Sequence, residues 1–297
     1  MASGDDDSEF YGEEELVQHL DQRVQSLDVE QWWKDRGDVI TPLKVQASSA
    51  MNETCHLHNP YSGQRNAWQL TETVDAFLNR LPPKTTDESD GGPWIWVANP
   101  YVKQKPKREA QNQHIRGGEH EAPESDGADL QTFMTAGQER LDFASSFNNE
   151  CRAMGQSSAF ITREIRKAGL DAANDILVLA RNLRITCGKW MIFSEAAQIN
   201  DIWEVVVKAT VDNQLGIAAK VATRSDTDDR RERLICIYTA DFSDKPDVTR
   251  VAKSLKQLGL ANKTLYYKPD CFTYLGIASG NPWQIKASIY DSRNLAG

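Results

Sequence analysis

The sequence predicts an α+β domain, with one antiparallel sheet of about seven or eight strands backed on one face by helices. Three observations lead there. The apolar runs Gly216–Ala222 and Arg233–Tyr238 flank a short charged tip, Thr223–Glu232, so they must pair antiparallel. Amphipathic helical stretches at Ile199–Thr210 and Lys245–Leu258 follow strands and bring one apolar stripe each. Further short aromatic and β-branched runs crowd the C-terminal end. This mixture of hairpins and helices fits a sheet covered on one side.

The elements follow in order. Residues 1–12 are acidic and poor in apolar groups, so a disordered tail is expected. Leu16–Leu27 has helical apolar spacing, and Trp32 and Trp33 beyond it need burial. These belong to a helical extension, 13–90, of a single domain running from 13 to 297. A helix is expected over Ala67–Leu81, stopped by Pro82-Pro83. Pro93–Val97 reads as a strand. Residues 101–129 are rich in charge, Gly and Pro, and read as an exposed polar insertion. Helices follow at Leu130–Met154 and Ala159–Asn182, then a strand at Lys189–Phe193. After the central hairpin, strands are expected at Lys263–Lys268, Thr273–Ile277 and Trp283–Tyr290.

Composition narrows the function. The chain of 297 residues has 34 basic and 43 acidic side chains, a net charge of −9. Such a field repels nucleic acid in general, so any nucleic-acid role must rest on a local site. The charge is uneven: 17 basic and 13 acidic residues lie in 181–297, against 17 and 30 before. An anion site is therefore permitted in the C-terminal part. Five cysteines without a C-x-x-C pair read as reduced thiols of a cytoplasmic or nuclear protein. No apolar run approaches the roughly 20 residues of a spanning helix, so no membrane partner is expected. Cys55-His56-Leu57-His58 has no second cluster at zinc spacing, and no metal or other cofactor is expected. Phosphate-binding and hydrolase motifs are missing too. The expectation is a non-catalytic protein, with Asp241 and Asp270 the sole acid–base candidates.

Several phrases carry a resemblance. Gly188-Lys-Trp-Met, Asp201-Ile-Trp203, Gly216-Ile-Ala-Ala-Lys-Val, Leu234-Ile-Cys-Ile-Tyr-Thr-Ala-Asp241 and Pro93-Trp-Ile-Trp resemble motifs of the translation initiation factor 4E family, the mRNA cap-binding proteins. Tyr267-Lys-Pro-Asp270 and Thr273-Tyr-Leu-Gly-Ile-Ala-Ser-Gly-Asn281 look specific to another family, that of the basophilic leukaemia-expressed protein. The latter resemblance covers most of the chain after Trp94. It implies a curved 4E-like sheet and no established activity.

The resemblance implies a site on the concave face, but only in part. Residues 177–187, where a stacking Trp and its Glu would stand, hold neither an aromatic nor a carboxylate. Tyr238 stands at the place of the Trp that touches the base methyl, and Ala222 at that of a phosphate-binding Arg. The methyl-guanine sandwich therefore does not carry over, and capped mRNA is a poor expectation as ligand. Lys189 and Lys220 stand at positions facing the ligand, with Arg224 from the tip and Lys268 at a strand end as further cations. By alternation Trp94 and Trp96 share a face, either as core or, with Tyr101, as a base-stacking platform.

Lys220, flanked on its face by Ala218 and Ala222, is expected over an open groove beside Lys189 on a neighbouring strand. An anion, a water cluster or an acidic side chain is expected between the two ammonium groups. Lys220→Ala should then cost no more than about 1 kcal/mol, as at a surface. Two functional expectations follow: a binding protein for a nucleotide or RNA end, or an adaptor for a protein partner with no small ligand.

Overall fold

The computed structural model describes residues 57–102, 120–225 and 232–295. The chain divides into two units, Met1–Thr54 and Cys55–Gly297, and all described residues belong to the second. The expected acidic tail, the Leu16–Leu27 helix, Trp32-Trp33 and Cys55-His56 lie outside them.

Among the described residues six strands form one antiparallel sheet. They are β1 (Trp94–Ala98), β2 (Gly188–Glu195), β3 (Ala218–Ala222), β4 (Glu232–Thr239), β5 (Tyr266–Pro269) and β6 (Tyr290–Asp291). Their order is β1-β3-β4-β2-β5-β6. The central hairpin pairs as expected, with Ala219 opposite Ile237 and Lys220 opposite Cys236. The helices are α1 (Val74–Arg80), α2 (Glu88–Gly91), α3 (Leu130–Ala153), α4 (Ser158–Asn182), α5 (Ile199–Val211), α6 (Lys245–Gln257), α7 (Asp270–Tyr274) and α8 (Ser292–Leu295). Their starts are capped by short polar side chains: Thr73, Asp129, Ser157 and Asp244 each accept an N–H of the first turn.

Alternation sorts the sheet into two faces. Ile95, Val97, Ala219, Val221, Ile235, Ile237 and Trp190 turn toward the helices. There they share one core with Phe133, Ile176, Trp203, Val207 and Val251. The far face holds a second, smaller cluster around Trp96, Ala218, Cys236 and Tyr238, joined by Tyr61 and Ala122 from loops.

Among the described residues the strands number six rather than seven or eight, because one expected strand does not form and another shrinks to its end. Thr273–Ile277 is instead the end of α7 and a turn. Cys271, Phe272, Leu275 and Ile277 bury together by coiling, and Gly276, at φ +67°, ends the coil. In Trp283–Tyr290, Gln284 takes φ +56°, which breaks any extended run, and only Tyr290 and Asp291 pair with β5. The helix expected over Ala67–Leu81 starts only at Val74. Ala67 and Trp68 run beside β1, where the Trp68 N–H donates to the Trp96 carbonyl.

The polar insertion also differs from expectation at its end. Glu121 to Glu124 lie against the far face, with Ala122 and Glu124 buried.

Candidate functional site

Strand register places the cations. Lys189 stands opposite Tyr238 on β4 and opposite Lys268 on β5. Lys220 stands opposite Trp96 on β1 and Cys236 on β4. Both lysines therefore face away from the helices, opposite β4 residues two apart. They are not on neighbouring strands: β4 runs between β2 and β3, and its Tyr238 ring lies between the two lysines. Nor does Lys220 lie over an open groove. Its exposure is 1% and that of Lys189 is 3%, so the expected tolerance of Lys220→Ala does not follow.

An acidic side chain bridges them. One carboxylate oxygen of Glu121 accepts from Lys189 Nζ and from Tyr238 Oη. The other accepts from Lys220 Nζ at 3.2 Å. Lys220 also donates to the carbonyl of His120. Lys189 reaches a second carboxylate, Asp270 Oδ1, at 2.9 Å. Asp270 is fully buried at the start of α7, and its Oδ2 has no hydrogen-bond partner among the described residues. Two ammonium groups thus face two carboxylates, which is how buried charge is tolerated.

The aromatic groups complete the cluster. Lys220 Nζ lies 3.9 Å from the centre of the Trp94 ring and 5.2 Å from that of Trp96, within cation–π reach. Trp96 is 4% exposed, with the Tyr61 ring tilted against it at 4.9 Å and the Tyr238 ring stacked on it at 5.9 Å. It is core material of the far-face cluster. Trp94 is half-buried and lines a cleft of about 830 Å³, together with Ala222, Leu234, Phe193, Arg224 and Arg233. Tyr101 is exposed on the loop after β1, and its N–H donates to the Asn99 side chain.

The electrostatics follow from burial and pairing. Burial alone would raise Glu121, but the Lys189 and Lys220 ammonium groups hold it below the usual carboxylate value. Burial works against the charge of Lys189 as well, yet Asp270 and Glu121 keep its proton on and raise it. Lys220 is lowered, because burial outweighs its single carboxylate partner. Asp270 is pushed up to about 6 by burial. Lys268 is half-buried and lowered by burial and by Lys189 opposite; it makes no ion pair among the described residues.

A second acid anchors the same segment. Glu124 Oε2 accepts the backbone N–H groups of Thr186 at 2.8 Å and Cys187 at 3.0 Å. Its carboxyl is pushed up to about 7 by burial, against the pull of those two donors. Residues 120–124 thus form a strap pinned at two points three residues apart.

The structure brings together Lys189, Lys220, Tyr238, Trp94 and Trp96, with Lys268 at the edge. Arg224 stands apart at the cleft, in a two-point ion pair with Asp87 (Nη2 to Oδ2, 2.9 Å). Tyr101 does not join. Glu121, Glu124 and Tyr61 were not candidates, and Asp270 was one only as an acid–base group. The signal that could have found the strap is Glu121-Ala-Pro-Glu124, where a small apolar pair breaks a polar run. Among the described residues no group of three or more His, Cys, Asp or Glu is placed to hold a metal.

Comparison with known proteins adds two findings. A crystal structure of a schistosome eIF4E complexed with m7GpppA and 4E-BP is similar over 36% of this chain and 60% of that one. The sequence identity is 14% and the TM-score 0.29. Residues 20–276, most of the chain and the whole of the site, match the family described as basophilic leukemia-expressed protein Bles03, and the chain belongs to that family.

Proposed function

We propose that this protein is a non-catalytic binding module that takes a nucleotide or an RNA end on the far face of its sheet. The observation that carries the reading is the position of Trp94. It lines an open cleft and also carries the Lys220 ammonium group 3.9 Å from its ring centre. A base lying along Trp94, Leu234 and Phe193 would have its phosphate beside Lys220 and Lys189, with Lys268 at the edge. The concave, 4E-like character of the sheet belongs to this reading and rests on the sequence motifs of the strands. No step of chemistry is assigned. Burial pushes the Cys236 thiol up to about 11, far from a reactive thiolate, and Asp270 is engaged by Lys189.

One observation favours a second reading, a protein–protein adaptor: Glu121 already neutralises the lysines. In that case partners would use exposed apolar groups such as Phe143 on α3 and Leu170 on α4.

Thermal shift with nucleoside mono-, di- and triphosphates and short 5′-phosphorylated RNAs separates the two. A ligand at 100 times its Kd should add about 2.7 kcal/mol. Trp94→Leu should weaken binding about tenfold, within the ~1–3 kcal/mol of a base–aromatic stack. No shift with any of these ligands would leave the adaptor reading.

A further inference from the structure

We propose that the strap 120–124 is a built-in competitor, whose Glu121 carboxylate occupies the place of the ligand's anionic group, so that strap and ligand exclude each other. This rests on the binding reading above and names its regulation.

Convergence is the first support. Donors from three strands, Lys189 on β2, Lys220 on β3 and Tyr238 on β4, meet at one carboxylate. Such an arrangement of fixed donors around an acceptor is that of an anion-binding site. A second anion could not join without facing Glu121 in a low-dielectric setting, where like charges repel strongly.

The manner of attachment is the second. The strap buries one apolar residue, Ala122. Otherwise it is held by charge and hydrogen bonds: Glu121 at one end, Glu124 on the Thr186 and Cys187 N–H groups at the other, and the Pro123 carbonyl near Cys187 Sγ at 3.5 Å. Little hydrophobic area is lost when it leaves, so an incoming anion has mainly to replace polar contacts.

The third support is that the lysines are unequal. Lys189 keeps Asp270 when Glu121 leaves. Lys220 ion-pairs with Glu121 alone among the described residues. A released strap would strand a buried ammonium group, which is costly. Release therefore occurs by exchange for another anion and not by simple opening.

The test compares wild type, Glu121→Gln and Glu124→Ala, with inorganic pyrophosphate and a 5′-triphosphate RNA hexamer as probes. Glu124→Ala loosens the far end of the strap and leaves every cation in place, so it carries the test even where Glu121→Gln folds poorly. Both variants should bind at least tenfold more tightly than wild type. In wild type, saturating probe should speed hydrogen exchange of the Thr186 and Cys187 amides. Equal affinity in all three proteins, with unchanged exchange, would overturn the competitor and leave the binding reading standing. No binding by any folded variant would overturn both.

Discussion

Replacing Lys220 by Met keeps most of the side-chain volume and removes the ammonium group. The change deletes the 3.2 Å contact with Glu121, the bond to the His120 carbonyl and the charge 3.9 Å from Trp94. Breaking a buried pair by losing one partner costs about 3–5 kcal/mol, mainly because the other charge stays buried. Glu121 retains Lys189 and Tyr238, and Lys220 itself no longer has to be desolvated, so the lower end applies, about 3 kcal/mol. For a unit of this size that is a fall in Tm of about 6–12 °C. Lys208→Met is the control. Lys208 is exposed and pairs with Glu204 along one helix turn and with Asp75, and such solvent-screened surface pairs contribute little. Urea unfolding of the two variants beside wild type measures the difference. Equal stability of Lys220→Met and wild type would refute the buried, bridged lysine on which the site is built.

Two further outcomes are expected. At Gly216 an added Cβ would lie 1.8 Å from the Tyr238 carbonyl oxygen. Gly216→Ala must therefore shift β4 and should cost more than the ~1–3 kcal/mol of ordinary overpacking, read by denaturant midpoint. The pH dependence has a definite sign. Glu124 and Asp270, raised to about 7 and about 6, bind their protons more tightly folded than unfolded. Their contribution is full below about pH 4 and is lost as pH rises through 6 and 7. Glu121, held low, acts oppositely and loses its contribution only in acid. Tm should peak at about pH 4 and fall until about pH 7, with a flatter fall in Glu124→Gln. A Tm rising steadily to pH 8 would contradict the assignment.

Local pattern was legible in the residues, and distant contact was not. Period-two alternation put Lys220 with Ala218 and Ala222, and Trp94 with Trp96, because side-chain direction in a strand depends only on its own residues; that Lys189 and Lys220, on different strands, share a face came from the resemblance. The short tip at Thr223–Glu232 likewise required the β3–β4 pair. Strand order carries no such signature: that β4 separates the two lysines depends on how β2 docks after the hairpin. Cys271–Ile277 has apolar residues that suit either a strand or a coil, and burial on the core decided for the coil. Glu121 was hidden for a different reason. Its partners are 68, 99 and 117 residues away, and a buried glutamate has the same composition as an exposed one.

Those separations bear on how the protein emerges during synthesis. Glu121 precedes every group that receives its carboxylate, and the last of them, Tyr238, follows 117 residues later. At about 5–20 residues per second, the ribosome takes on the order of 6–25 s to cover that distance. Throughout that interval the strap has no complete seat, although the Glu121 carboxylate is already in the chain when Lys189 and Lys220 are added. The chain made by then is more acidic than the finished protein, because its first 180 residues hold 17 basic and 30 acidic side chains, and the mildly basic remainder is what supplies the strap's partners.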